Sequence, residues 1–297
     1  MAMTNDRNST SSDIKRRGQL GIIWRQYRKN TLAMVGLIVF LLLVCVAVFS
    51  PVFLDYQNDI ILMNNKIRLQ APSAEHILGT DQYGRDILFR IIWGSRVSLV
   101  VGLFTVGVAL LVGGIIGAIS GYYGSVIDNF LMRIMDVFLA MPATIMAVAI
   151  VGALGPGLIN LLIAMSIARI PQFARVVRSS VISICGQEFV EAARACGTKD
   201  FRIIMRHILP NCVGPIVVQC TLHMATTILG VAGLSFIGLG IQAPVPEWGS
   251  MLSEARDFMQ TNFNMMLYPG IAIVIAVLSL NLIGDGLRDA LDPRLKK

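Results

Sequence analysis

Long, unbroken apolar runs separated by short polar stretches dominate this chain. Within the runs hydrophobic residues do not alternate with polar ones, as they would in the strands of a membrane barrel. They persist instead for about the 20 residues a helix needs to cross a hydrocarbon core. Six transmembrane helices are predicted: Leu32–Phe53, Val97–Ile119, Ile134–Leu154, Leu158–Phe173, Val213–Leu239 and Leu267–Ile283. Pro142 is expected to kink the third, and Pro171 lies near the end of the fourth. Gly155-Pro156-Gly157 supplies a tight turn between them. The fold class is therefore an all-α integral membrane bundle.

Composition and charge add orientation. Hydrophobic residues make up 55% of the chain and charged residues 14%, against about 25% charged in soluble domains. The net charge of +7 does not imply nucleic acid, because the cations gather beside the spans. Arg7, Lys15, Arg16, Arg17, Arg25, Arg28 and Lys29 precede the first. Arg169, Arg175, Arg178, Arg194, Lys199, Arg202 and Arg206 are assigned to a central loop. Arg294, Lys296 and Lys297 close the chain. The segments between Asp55 and Arg96 and between Gln242 and Tyr268 lack that excess. By the positive-inside rule both termini and the central loop are expected in the cytoplasm.

The chain thus divides into a cytoplasmic tail with an interfacial helix (1–30), a first transmembrane helix (31–53), an external loop (54–96) and a core (97–297) containing the central loop (174–212). Residues Met1 to Ile14 are polar and expected to be disordered. Trp24 and Tyr27, among cations, suit a helix lying at the interface.

Intramembrane polar groups are few. Gln219 and His223 share one face of the fifth span, and with Asn160 they are candidates for a solute path. An interhelical hydrogen bond is the alternative for each. Gly113, Gly117 and Gly121 recur at small-xxx-small spacing, which serves either internal packing or a seam with a partner subunit. The five cysteines and three histidines form no metal-ligand pattern, and no metal or cofactor is expected. No phosphate-cradling GxxxxGK[ST] and no nucleophile or acid/base constellation occurs, so the chain is not expected to be an enzyme.

The central loop reads EFVEAARACGTKDFRIIMRHILPN, Glu188 to Asn211. Good helix formers run from Glu188 to Cys196, Gly197 suits a helix end at positive φ, and Thr198 or Asp200 is placed to cap a second helix from Phe201. Glu191, Ala192, Ala193, Gly197 and Leu209-Pro210 resemble the EAA loop of the membrane subunit of binding-protein-dependent ABC importers, with His207 at an apolar position of that pattern. Gly79, Asp81, Gly84, Arg85 and Asp86 resemble the GTDxxGRD signature of the dipeptide/oligopeptide/nickel branch, with Phe89 in place of a serine. The stretch around Glu247-Trp248-Gly249 is similar to that branch's PPxPEWGxML, with Ala243 in place of the first proline.

The resemblance implies a six-helix permease of the C type, in a bacterial or archaeal plasma (inner) membrane. Glu191, Ala192, Ala193, Arg194 and Gly197 would then form the helix that docks into an ATPase. Implied partners are a second homologous permease, two cytoplasmic ATPases, an external solute-binding protein and the lipid bilayer. Asp81, Arg85 and Asp86 would either brace the outer side or meet the binding protein, Glu247 would either meet a docked partner or cap the helix at Trp248-Gly249, and Trp248 suits an interfacial anchor. Asp285, Arg288 and Asp289 would pair with one another near a helix stop at Asp292-Pro293. The competing readings are an ATP-independent channel or secondary transporter, for which midmembrane carboxylates would be expected, and a protein that only anchors a complex.

Overall fold

The structure is a computed structural model that describes residues 19–291. The expected disorder of residues 1–14 and the stop at Asp292-Pro293 lie outside it. The regular structure of the described residues is all helical, with one isolated β-bridge between Thr80 and Asp86 and no strand.

Helix α1 (Gln19–Tyr27) leads into α2 (Thr31–Phe53). Asn30 caps α2 by accepting the Ala33 N–H at 3.2 Å. The Tyr27 hydroxyl donates to the Ala33 carbonyl at 3.0 Å, while Trp24 remains half exposed. An irregular segment follows, and Asp86 caps α3 (Ile87–Tyr123) by accepting the Phe89 N–H at 3.1 Å. At 37 residues α3 begins ten residues before the predicted span and outlasts it.

The third predicted span is not one kinked helix. It is α4 (Ser125–Leu139) and α5 (Ala143–Leu154), set at 80° to each other. Pro142 has no N–H for the preceding turn and excludes Met141 from helical conformation, so a full break replaces the expected kink. The glycine turn holds as read, with Gly155 at φ +87° and Gly157 at φ +147°.

Helix α6 (Leu158–Cys185) continues well past Pro171, where the fourth span was expected to end. Arg175 and Arg178, assigned to the central loop, therefore sit on a helix. They pair with α4, Arg178 Nε to Asp128 Oδ1 at 2.5 Å and Arg175 Nη2 to Asp136 Oδ1 at 2.6 Å. The short α7 (Glu188–Ala195) is followed by α8 (Asp200–Ile203), a π-helical turn (Ile204–Ile208) and α9 (Leu209–Phe236). The widened turn stands just before Pro210, which cannot donate to the ladder. Last come α10 (Trp248–Ala255) and α11 (Asn264–Leu291).

Among the described residues, four helices are long and apolar enough to span a membrane, five if the bent α4–α5 pair counts as one. Helix α6 is 28 residues long, but its arginines interrupt the apolar window.

The packing of α3 on α6 settles the glycine stripe. A Cβ at Gly113 would lie 2.6 Å from the Ile170 carbonyl oxygen, and one at Gly121 would lie 2.9 Å from that of Arg178. Gly117 faces the Ala174 carbonyl still more closely. The stripe therefore lets two backbones of the same chain touch. Helix α2 lies at the periphery against α11 and α3, with most of its surface exposed.

Candidate functional site

Three groups of residues stand at different levels of the bundle. At one end, α7 projects beyond the long helices. Its Val190 is fully buried among Ile184, Ile203, Ile204 and Ile208. Glu191, Ala192 and Arg194 are exposed, and Ala193 is half-buried against the same cluster. Gly197, at φ +76°, ends the helix with its N–H on the Arg194 carbonyl.

The second helix begins at Asp200, one residue earlier than expected, and neither Thr198 nor Asp200 caps it. Lys199 stands at the cap position without a side-chain bond. Asp200 is occupied elsewhere: it accepts the Tyr122 hydroxyl at 2.7 Å, while the Arg194 guanidinium lies 5.0 Å from the Tyr122 ring centre. Tyr122, at the end of α3, thus fixes both helices of the loop. It carries no motif signal, and only tertiary proximity reveals it.

At the opposite end the two remaining motifs form one buried brace. Arg85 Nε donates to Asp81 Oδ2 at 2.6 Å, and Arg85 Nη2 and Arg90 Nη2 reach Glu254 Oε2 at 2.7 and 2.9 Å. Asp86 pairs not with Arg85 but with His76 Nδ1, at 2.9 Å. Arg90, Glu254 and His76 were missed in the sequence, because 164 residues separate Arg90 from Glu254.

Trp248 is not an interfacial anchor. It is 1% exposed, and its indole N–H donates to the Ile91 carbonyl at 3.1 Å beside Gly94. Glu247, also 1% exposed, caps α10 by accepting the N–H groups of Gly249 and Ser250, each at 2.9 Å. Its backbone N–H in turn donates to the Ser250 hydroxyl, which completes a capping box. Burial pushes the Glu247 carboxyl up, against the pull of those donors and of Ser235 and Ser98. Gly249 lets α10 lie directly on the backbone of Ala232 in α9. Asp81, Arg85, Asp86, Glu247 and Trp248 are all buried: of the alternatives read from the sequence, the brace and the Glu247 cap form, and none of the five is presented at the surface.

Between these ends lies the candidate path. Gln219 Nε2 and His223 Nε2 stand 2.7 Å apart on α9, and the His223 ring packs 4.9 Å from that of Phe173. Asn160 is not beside them. It donates to the carbonyls of Leu154 and Gly155 and so closes the glycine turn. Arg169 borders an open-sided cavity of about 370 Å³ between α5, α6 and α9. In the sequence it was counted with the loop cations, although it falls inside the predicted fourth span.

Near the α7 end, Asp289 accepts from Asn30 Nδ2 at 3.2 Å and ties α11 to the start of α2. The expected pairing among Asp285, Arg288 and Asp289 does not form.

The profile of the binding-protein-dependent transport system inner membrane component family matches residues 113–297. The chain belongs to this family. Residues 18–72 match the N-terminal transmembrane domain of oligopeptide transport permease C. A dipeptide transport system permease protein of Alkalihalophilus pseudofirmus is 51% identical over 92% of this chain and 89% of its own length. A di/tripeptide transport system permease protein of Pseudomonas aeruginosa is 42% identical over 92% of this chain and 91% of its own. A glutathione transport system permease protein of Pectobacterium atrosepticum is 40% identical over 92% and 90%.

Among solved structures, the MetNI methionine ABC transporter in an inward-facing conformation contains a similar fold. Its TM-score is 0.57 at 18% identity, over 69% of this chain and 98% of that one. This family member is accordingly a multi-pass inner-membrane permease component.

Proposed function

We propose that this chain is one of two permease subunits of an ATP-driven importer. The pair encloses a path for peptides or similar small solutes delivered by an external binding protein. Its dipeptide, di/tripeptide and glutathione transport relatives support the solute class. Helix α6 would be the sixth span, added to four apolar helices and the bent pair, with both termini cytoplasmic as the charge distribution favours. Helices α1 and α2 would form an N-terminal extension on the core.

The observation that carries the reading is the construction of α7. One valine anchors it in a rigid cluster, Tyr122 braces it through Arg194, and Glu191 and Ala192 remain exposed. Such a knob transmits a push without deforming. In this reading closure of the ATPases moves α7, the spans rock, and the path opens outward. Hydrolysis then returns the path to the inside. The half-exposed apolar surface of α5 and α9 (Ile145, Leu229, Ile237) would face the second permease.

Gly197→Asp tests the docking role. It places a side chain at φ +76°, where no neighbouring atom obstructs it but the backbone is strained. The variant should insert and assemble while ATP-driven uptake falls at least tenfold. Gly197→Asn, which reaches left-handed backbone as readily as Asp but adds no charge, should retain more. Uptake undiminished in Gly197→Asp would remove the docking role.

A further inference from the structure

The cavity beside Arg169 has a chemistry that the family assignment does not supply. Its depth follows from helix geometry. Arg169 is 11 residues from the start of α6, Ala143 is 11 from the end of α5, and Thr226 is 10 from the end of α9. At 1.5 Å per residue all three lie roughly 16 Å below the same end of the bundle. Because the hydrocarbon core is about 30 Å thick, that is close to its middle.

Two independent features make this place electropositive. The first is Arg169 itself. Its Nη1 donates to Gln172 Oε1 at 3.2 Å, and among the described residues no carboxylate pairs with it. An arginine at this depth is costly to keep and marks a functional position by default. The second is the break between α4 and α5. Helix α5 starts at the cavity, which Ala143 and Thr144 line. Its cap position is Pro142, with no side-chain cap, and its first helical bond runs from Met146 to the Pro142 carbonyl. The N–H groups of Ala143, Thr144 and Ile145 are therefore left without intrahelical acceptors, at the positive end of a 12-residue helix.

The rest of the wall suits a small solute. Gly230 and Gly233 keep the α9 side low, and Thr226 adds a hydroxyl. The volume is within the range that holds small ligands.

We propose that Arg169 and the uncapped start of α5 form a midmembrane subsite for a carboxylate of the solute in transit, such as the C-terminal carboxylate of a short peptide. The assignment rests on the permease reading above. The guanidinium would grip the anion as a planar fork while the α5 N–H groups orient it. A broken helix whose terminus meets an anionic substrate group is an established solution for binding within a membrane.

The test uses the complete importer in proteoliposomes, with its binding protein at saturation and alanyl-alanine as solute. Uptake and ATP hydrolysis are measured together for the natural chain, Arg169→Gln and Arg169→Lys. The subsite predicts that Arg169→Gln lowers uptake about tenfold or more while binding-protein-stimulated hydrolysis stays within about twofold of the natural value, and that Arg169→Lys recovers at least half of the uptake. Unchanged uptake in Arg169→Gln overturns the subsite, as does parallel loss of uptake and hydrolysis in both variants, which marks a structural arginine. A natural complex that hydrolyses ATP without carrying peptide overturns the permease reading instead, and the subsite falls with it.

Discussion

Glu247 holds the N–H groups of Gly249 and Ser250 and shares its Oε1 with the Ser98 hydroxyl on α3. Its geometric task needs acceptor oxygens rather than charge. Glu247→Ala should destabilise the purified protein by about 1–2 kcal/mol, the usual worth of a cap, whereas Glu247→Gln, which keeps one acceptor, should lose less. The raised carboxyl also sets a pH dependence. A group that binds its proton more tightly when folded contributes stability that is lost as pH rises from the unfolded value through the folded one. Thermal unfolding followed upward from the ordinary carboxylate range should show that decline in the natural chain and its loss in Glu247→Gln. A pH profile identical in both would contradict the assignment of the buried carboxyl.

Among the elements, the contact of α3 with α6 and the brace joining α3 to α10 are the two most exacting. Gly117→Val would drive a branched side chain into the Ala174 carbonyl. It should cost about 1–3 kcal/mol or more, as overpacking does, and reduce the yield of folded protein in detergent; an unchanged yield and melting point would show that the helices can separate freely. Glu254→Ala leaves Arg85 and Arg90 facing each other with only Asp81 between them. Breaking a buried pair in this way costs about 3–5 kcal/mol, and the variant should melt well below Glu254→Asp.

How much of this the sequence disclosed depends on the range of the interaction. Gly197 acts locally, through its own positive φ, and was legible; the glycine spacing announced a close helix contact but not that its partner is α6 of the same chain. Trp248 was misplaced because its socket is made by Ile91 and Gly94, more than 150 residues away in the chain. Arg169 was counted with the loop cations because its place beside α5 and α9 is made by tertiary packing, which no local pattern announces.

At the scale of the molecule, the structure places a projecting helix at one end, a buried ionic brace at the other and an electropositive cavity between. The proposed cycle requires the first of these to be moved from inside the cell. A photoreactive residue introduced at Ala192, in the middle of the exposed face of α7, reports on this directly in intact cells. The account predicts that illumination joins the chain to a nucleotide-hydrolysing subunit on the cytoplasmic side. An adduct with the external binding protein, or none with any ATPase while the assembled importer still carries solute, would contradict it.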